Sequence, residues 1–134
     1  MLSFSTIIEK NLPFLCEKML LTYQEHKGDA YFEFQYRRKD YEPNEEVQKN
    51  SLFLYWDDEE AFLEIYAPYF NAMNVLTGKE EPFDFYSENA TSKKQAKVLR
   101  EELLKHHPKE YEIFAEWLEK AYTEYNGFYI SGMY

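Results

Sequence analysis

Apolar residues recur along this chain at two spacings, and the changes between them predict its elements. Leu12, Leu15, Cys16, Met19 and Tyr23 keep the three-and-four spacing of one helical face. Thr6-Ile7-Ile8-Glu9 has capping-box spacing, so a helix is expected to begin near Ser5 or Thr6 and to end at Gly28. Pro13 either kinks that helix or opens a second one capped by Asn11. From Ala30 to Arg38 the period drops to two. Phe32, Phe34 and Tyr36 alternate with Glu33, Gln35 and Arg37, as in a strand with one buried and one wet face. Glu42-Pro43-Asn44-Glu45 is a turn signal, and Val47 to Trp56 reads as the returning strand. Its end, Leu52-Phe53-Leu54-Tyr55-Trp56, is apolar on both faces, which suits a central strand covered by helices on at least one side.

A helix follows from about Asp58. Wound at 100° per residue from Phe62, it places Ile65, Tyr66, Tyr69, Phe70 and Met73 within about 80° of one line. Asp57, Glu60 and Glu64 fall roughly opposite, as a negative ridge. Pro68 is expected to bend or split this helix. Thr77 to Thr91 reads as a long loop, in which Phe83-Asp84-Phe85-Tyr86 could form a short edge strand. Ser92-Lys93-Lys94-Gln95 has capping-box spacing and starts the next helix, with Ala96, Leu99 and Leu103 inward, until His107-Pro108 breaks it. The last helix spans about Lys109 to Tyr125, on the stripe Tyr111, Phe114, Ala115, Leu118, Tyr122 and Tyr125. Asn126-Gly127 stops it, and Phe128-Tyr129-Ile130 could add a final strand. The elements predict an α+β fold in one domain, 1–134. A small, mainly antiparallel sheet is built on a 30–56 hairpin and packed by four or five helices.

Composition narrows the function classes. The chain has 134 residues, 19% of them aromatic, which is too apolar for a disordered polymer despite 30% charge. Its net charge of −10 repels phosphate backbones, so direct nucleic-acid binding is not expected, and basic proteins are attracted instead. The charge is uneven: from Ser51 to Ser92, nine acids face only Lys79, leaving −8 in that third of the chain. The single Cys16 excludes an internal disulfide and suits a reducing, cytoplasmic setting. Glu9, Lys10, Glu17 and Lys18 interrupt the N-terminal apolar runs, so neither a signal peptide nor a membrane span is expected. Asn89-Ala90-Thr91 matches a glycosylation acceptor and is read as chance in a chain without a secretion signal.

Candidate chemistry is sparse. Asp57-Asp58-Glu59-Glu60 has no Gly and no Asp/Asn alternation of a calcium loop. Acids there also suit a helix N-terminus. His106 and His107 are adjacent and point apart on a helix, and Glu102 with His106 is more simply a helical pair. Cys16 has no base placed beside it by local spacing, and no Gly-rich loop cradles phosphate. Neither a metal nor a cofactor is expected. Lys93, Lys94, Lys97 and Arg100 are expected to pair with the acids that precede them.

Trp117, about 60° off the Phe114–Leu118 line, and the aromatic tail read as exposed anchors beside an acidic surface. The leading expectation is a non-catalytic acidic protein that engages a basic protein, such as an inhibitor or immunity-type protein covering a toxin's nucleic-acid-binding cleft. Its partner-binding residues would be Asp57, Asp58, Glu60, Glu64, Glu80, Glu81, Asp84 and Tyr86. The alternatives are a small-ligand-binding or enzymatic domain with a Tyr/Phe-lined pocket, and a homodimer joined through its aromatic surface.

Overall fold

The computed structural model describes residues 18–28, 31–38, 45–87 and 89–133. The expectations for Thr6, Pro13, Leu12, Leu15, Cys16 and the Glu42-Pro43-Asn44 turn lie outside those residues. The described chain runs β1 (Leu21–Thr22), β2 (Tyr31–Tyr36), α1 (Glu45–Lys49), β3 (Leu52–Tyr55), a 3₁₀ turn (Trp56–Asp58), α2 (Glu59–Leu76), α3 (Lys93–His106), α4 (Tyr111–Thr123) and β4 (Phe128–Met133). The four strands pair antiparallel in the order β1-β3-β2-β4. The fold is therefore α+β, with the central pair formed by the expected strands. Phe32 lies opposite Leu54, and Phe34 opposite Leu52.

The alternation in β2 sets the core. Phe32, Phe34 and Tyr36 are buried under the helices. Phe34 meets the rings of Phe62, Phe114 and Trp117 edge-on, at centroid distances of 5.7, 5.6 and 6.4 Å. Edge-to-face contacts of this kind add to the area each ring buries. The other face of the sheet is less wet than the alternation implies. Phe53 is fully buried there, with the ring centroids of His26, Tyr31 and Tyr23 at 3.8, 5.2 and 6.3 Å. Glu33, beside Phe53 in the register, is also buried and accepts the Ser51 hydroxyl at 2.8 Å. A turn after β1 thus supplies a second aromatic layer that strand alternation alone does not reveal.

Several expected boundaries move. The helix predicted to reach Gly28 does not: Lys18 to Leu20 is a bend, followed by β1 and a turn. The Glu110 carboxylate accepts from the Met19 N–H at 2.7 Å and the Leu20 N–H at 2.9 Å, and so takes donors that a helix would use internally. The returning strand begins at Leu52 rather than Val47, because Glu45–Lys49 closes a short helix. Pro68 does not split α2, which runs unbroken from Glu59 to Leu76 with Pro68 on its exposed side.

Trp117 is not an exposed anchor. It is 7% exposed, its indole N–H donates to the Asn50 carbonyl at 2.7 Å, and its ring stacks on Tyr36 at 4.2 Å. Tyr125 stacks on the other side of Tyr36 at 4.3 Å. Helix α4 packs on both the sheet and α3, so its buried arc is wider than one stripe and takes in Phe114, Ala115, Trp117, Leu118 and Ala121. The tail likewise enters the core: Phe128 and Ile130 are buried on β4. Gly127 makes the turn into that strand at φ +97°, and a Cβ there would stand 2.0 Å from the Thr91 carbonyl oxygen. Only glycine fits both constraints.

Candidate partner-binding surface

The acidic third of the chain is organised by α2. Asp57, Asp58, Glu59 and Glu60 crowd the helix start, where free N–H groups and the dipole favour negative charge. Phe62, Tyr66, Phe70 and Met73 turn inward and are fully buried. Asp57, Glu60 and Glu64 are exposed, and Asp58 and Glu59 are half-buried. Glu60 and Glu64 are one turn apart, so they stand side by side on the surface.

The loop that follows does not form an edge strand. It folds back along α2, held by that helix's side chains. The Asn74 amide donates to the Glu81 carbonyl at 2.9 Å, and the Asn71 side-chain oxygen accepts the Phe83 N–H at 2.9 Å. The Phe83 and Phe85 rings lie 4.7 and 4.8 Å from Phe70. The Tyr86 hydroxyl then reaches the Glu59 carboxylate. Asp84 takes the Tyr86 N–H at 2.8 Å and the Ser87 hydroxyl at 2.7 Å, which fixes the turn. Phe83 and Phe85 satisfy their burial against a helix, which removes the need for strand pairing. Two asparagines three residues apart in the otherwise apolar later half of the helix were the sequence signal for this docking.

The loop therefore brings Asp84 and Tyr86 back to the end of α2 that carries Asp57, Asp58, Glu60 and Glu64. Tyr86 is 61% exposed there, and Asp84 is exposed. Glu80 and Glu81 are exposed at the other end, beside Asn74, about 21 Å along the helix axis from Glu60. The eight sequence-predicted residues thus form one larger acidic group and a separate pair. Glu59, through its contact with Tyr86, joins the larger group.

The basic helix start behaves differently from the expectation. Arg100 does pair, but with Glu119 of α4 at 3.3 Å, and its Nε donates to the Ala115 carbonyl at 3.1 Å. Lys93, Lys94 and Lys97 are exposed and make no ion pair among the described residues. His106 sits 3.7 Å from Glu102 and packs against the Tyr69 ring.

Among the described residues no three His, Cys, Asp or Glu side chains converge as a metal site would require. The space between Phe32, Phe34, Leu54, Leu63, Phe85 and Ile130, with Glu59 at its rim, is too tight for a water molecule. No described helix is long and apolar enough to cross a membrane. Comparison with protein-family models, curated proteins and solved structures returned no significant match.

Proposed function

We propose that this chain is a small acidic binding protein that engages a positively charged protein, in the manner of an inhibitor or immunity-type protein. The observation that carries the reading is the exposed group Asp57, Glu60, Glu64, Asp84 and Tyr86, gathered by α2 and its returning loop in a segment whose one base is Lys79. Exposed carboxylates with an exposed tyrosine at the same end of the helix suit electrostatic steering toward a basic surface, with an aromatic side chain available for contact.

The test is a set of association rates with a partner captured from the native organism, at low and high salt. Glu60→Lys with Glu64→Lys should slow association and reduce its salt dependence while costing no more than about 1 kcal/mol of stability, the contribution of Glu60 at the helix start, since both side chains are exposed. Glu119 is engaged by Arg100, so the control is Glu101→Lys with Glu116→Lys, a pair of exposed acids on α3 and α4. Equal losses from the two pairs would reduce the effect to net charge. Association indifferent to salt would remove the basic partner altogether.

A further inference from the structure

Among the described residues, helix α2 carries a second, partly exposed apolar face, of which Ile65 also packs against the core. Between Ala61 and Leu76 its one charged residue is Glu64. A helix this apolar is ordinarily buried all round. Here Ala61, Pro68 and Val75 are exposed, and Ile65 and Ala72 are half-buried. Val75 is 66% exposed and Leu76 58%. The residues 61, 65, 68, 72 and 75 follow one another at alternating steps of four and three. That is the spacing of a helix-packing seam. On the helical wheel they occupy a band about 80° wide, centred about 140° round from the core line of Phe62, Tyr66, Phe70 and Met73. Glu64 borders the band on one side, with Glu60 one turn before it and a little further round.

We propose that this seam seats a basic amphipathic helix of the protein partner, with its apolar face on Ala61, Ile65, Pro68, Ala72 and Val75 and its lysines or arginines against Glu60 and Glu64. The inference rests on the basic-partner reading and narrows it to one helix face and one kind of ligand, using that reading's Glu60 and Glu64 but not Tyr86, which meets Glu59 on the other side of the helix. The seven-residue period matches a helix. Ala61 and Ala72 leave room for close approach, as small residues do where helices cross at 8–10 Å. The seam is about 21 Å long, enough for four turns of a partner helix. Charge decides against a second copy of this chain as the occupant. Two copies meeting here would press together segments that each carry −8, whereas a basic helix would neutralise them.

The test uses two synthetic peptides of about 20 residues and identical leucine and lysine composition. One is ordered to give a helix with an apolar seam and lysine flanks, and the other is shuffled to give no apolar face. Binding is followed by fluorescence anisotropy, and the site by amide chemical-shift changes. The ordered peptide should bind at least about tenfold tighter than the shuffled one, with shifts concentrated on Ala61–Leu76. Ala61→Gln with Val75→Gln keeps the charge and the helix. It should cost the ordered peptide about tenfold in affinity and leave the shuffled peptide unchanged. Glu60→Gln with Glu64→Gln should weaken both peptides.

Equal binding of the two peptides, or indifference to the Gln pair, would overturn the seam and leave the basic-partner reading standing on its association rates. Shifts centred away from α2 would overturn it as well. Sedimentation showing a wild-type dimer that the Gln pair dissociates would reassign the seam to a second copy. Should the Gln pair compromise folding, the shift map on the wild-type chain still decides.

Discussion

The side-chain amide of Asn89 exchanges two hydrogen bonds with the backbone of Ile130, accepting the Ile130 N–H at 2.7 Å and donating to the Ile130 carbonyl at 2.9 Å. It does for β4 what a neighbouring strand would do. Two residues on, Thr91 bridges Phe128 through backbone and hydroxyl, with Thr91 N–H to the Phe128 carbonyl at 2.7 Å. β4 is the outer strand of the sheet, so these two side chains close part of an edge that would otherwise offer unpaired backbone. The Asn-Ala-Thr triplet is thereby explained without a glycan. Asn89 is 8% exposed, and the nitrogen a sugar would need is committed to Ile130 and to the Phe85 carbonyl.

Replacing Asn89 by Ala leaves a buried N–H and a buried carbonyl of Ile130 without partners. The loss should be about 2–3 kcal/mol in urea denaturation. Asn89→Asp keeps the acceptor but sets a buried carboxylate oxygen against the Ile130 and Phe85 carbonyls, and should lose at least as much as Ala. A loss below about 0.5 kcal/mol for Ala would show that the edge is satisfied by water instead.

Phe34 is fully buried between rings from α2 and α4. Phe34→Ala should cost about 3–5 kcal/mol, the range for large aromatic truncations in a core. Equilibrium unfolding measures it directly, and a change under about 1 kcal/mol would mean the sheet does not pack on the helices in this register.

Two phenols make the chain sensitive to alkali. Burial chiefly, with the neighbouring Tyr125, Glu124 and Glu116, pushes the Tyr36 hydroxyl far above its ordinary value. Burial chiefly, with Glu110 and Tyr69, does the same for Tyr66. A folded-state value above the unfolded one means that stability is intact below about pH 10 and is lost as pH rises beyond it. Tyrosinate absorbance should therefore show at least these two phenols withheld until the alkaline unfolding transition. Tyr36→Phe and Tyr66→Phe should each weaken the pH dependence above that point, at the cost of the hydrogen bonds to the Trp117 and Lys109 carbonyls.

Ser92 caps α3 in a reciprocal pair. Its hydroxyl accepts the Gln95 N–H at 3.1 Å, and the Gln95 side chain accepts the Ser92 N–H at 2.9 Å. Ser92→Ala should destabilise by about 1 kcal/mol and Ser92→Gly by only a few tenths. Thermal unfolding of the two variants separates them, and no loss from Ser92→Ala would mean that the hydroxyl contributes nothing.

What was legible in the sequence was local. The buried positions Phe32, Phe34 and Tyr36, the capping box at Ser92 and the end of the last helix, at Thr123 just before Asn126-Gly127, each rest on neighbours within four residues. What was not legible depends on distant partners. Met19 and Leu20 have helical spacing, yet a carboxylate some ninety positions away holds their N–H groups. Trp117 lies off its own helix's main stripe, yet Tyr36 and Asn50 complete its surroundings. Of the acidic surface, the exposure of Asp57, Glu60 and Glu64 followed from the helical wheel. The return of Asp84 and Tyr86 to the same end did not, because Asn71 and Asn74 carry that instruction through tertiary hydrogen bonds.

The Glu110 clamp also bears on the order in which the molecule assembles. β1 is two residues long and cannot hold its place by pairing alone. It is fixed by a side chain at the entrance to α4, on a residue whose own backbone sits at φ +65°, so its position depends on a turn made far later in the chain. Contacts across so long a loop form after local ones, because the closure entropy must be met first. β1 should therefore join a nearly complete body as a late latch. In stopped-flow kinetics Glu110→Ala should speed unfolding and leave the refolding rate unchanged. A slowed refolding limb would instead place the latch in the nucleus.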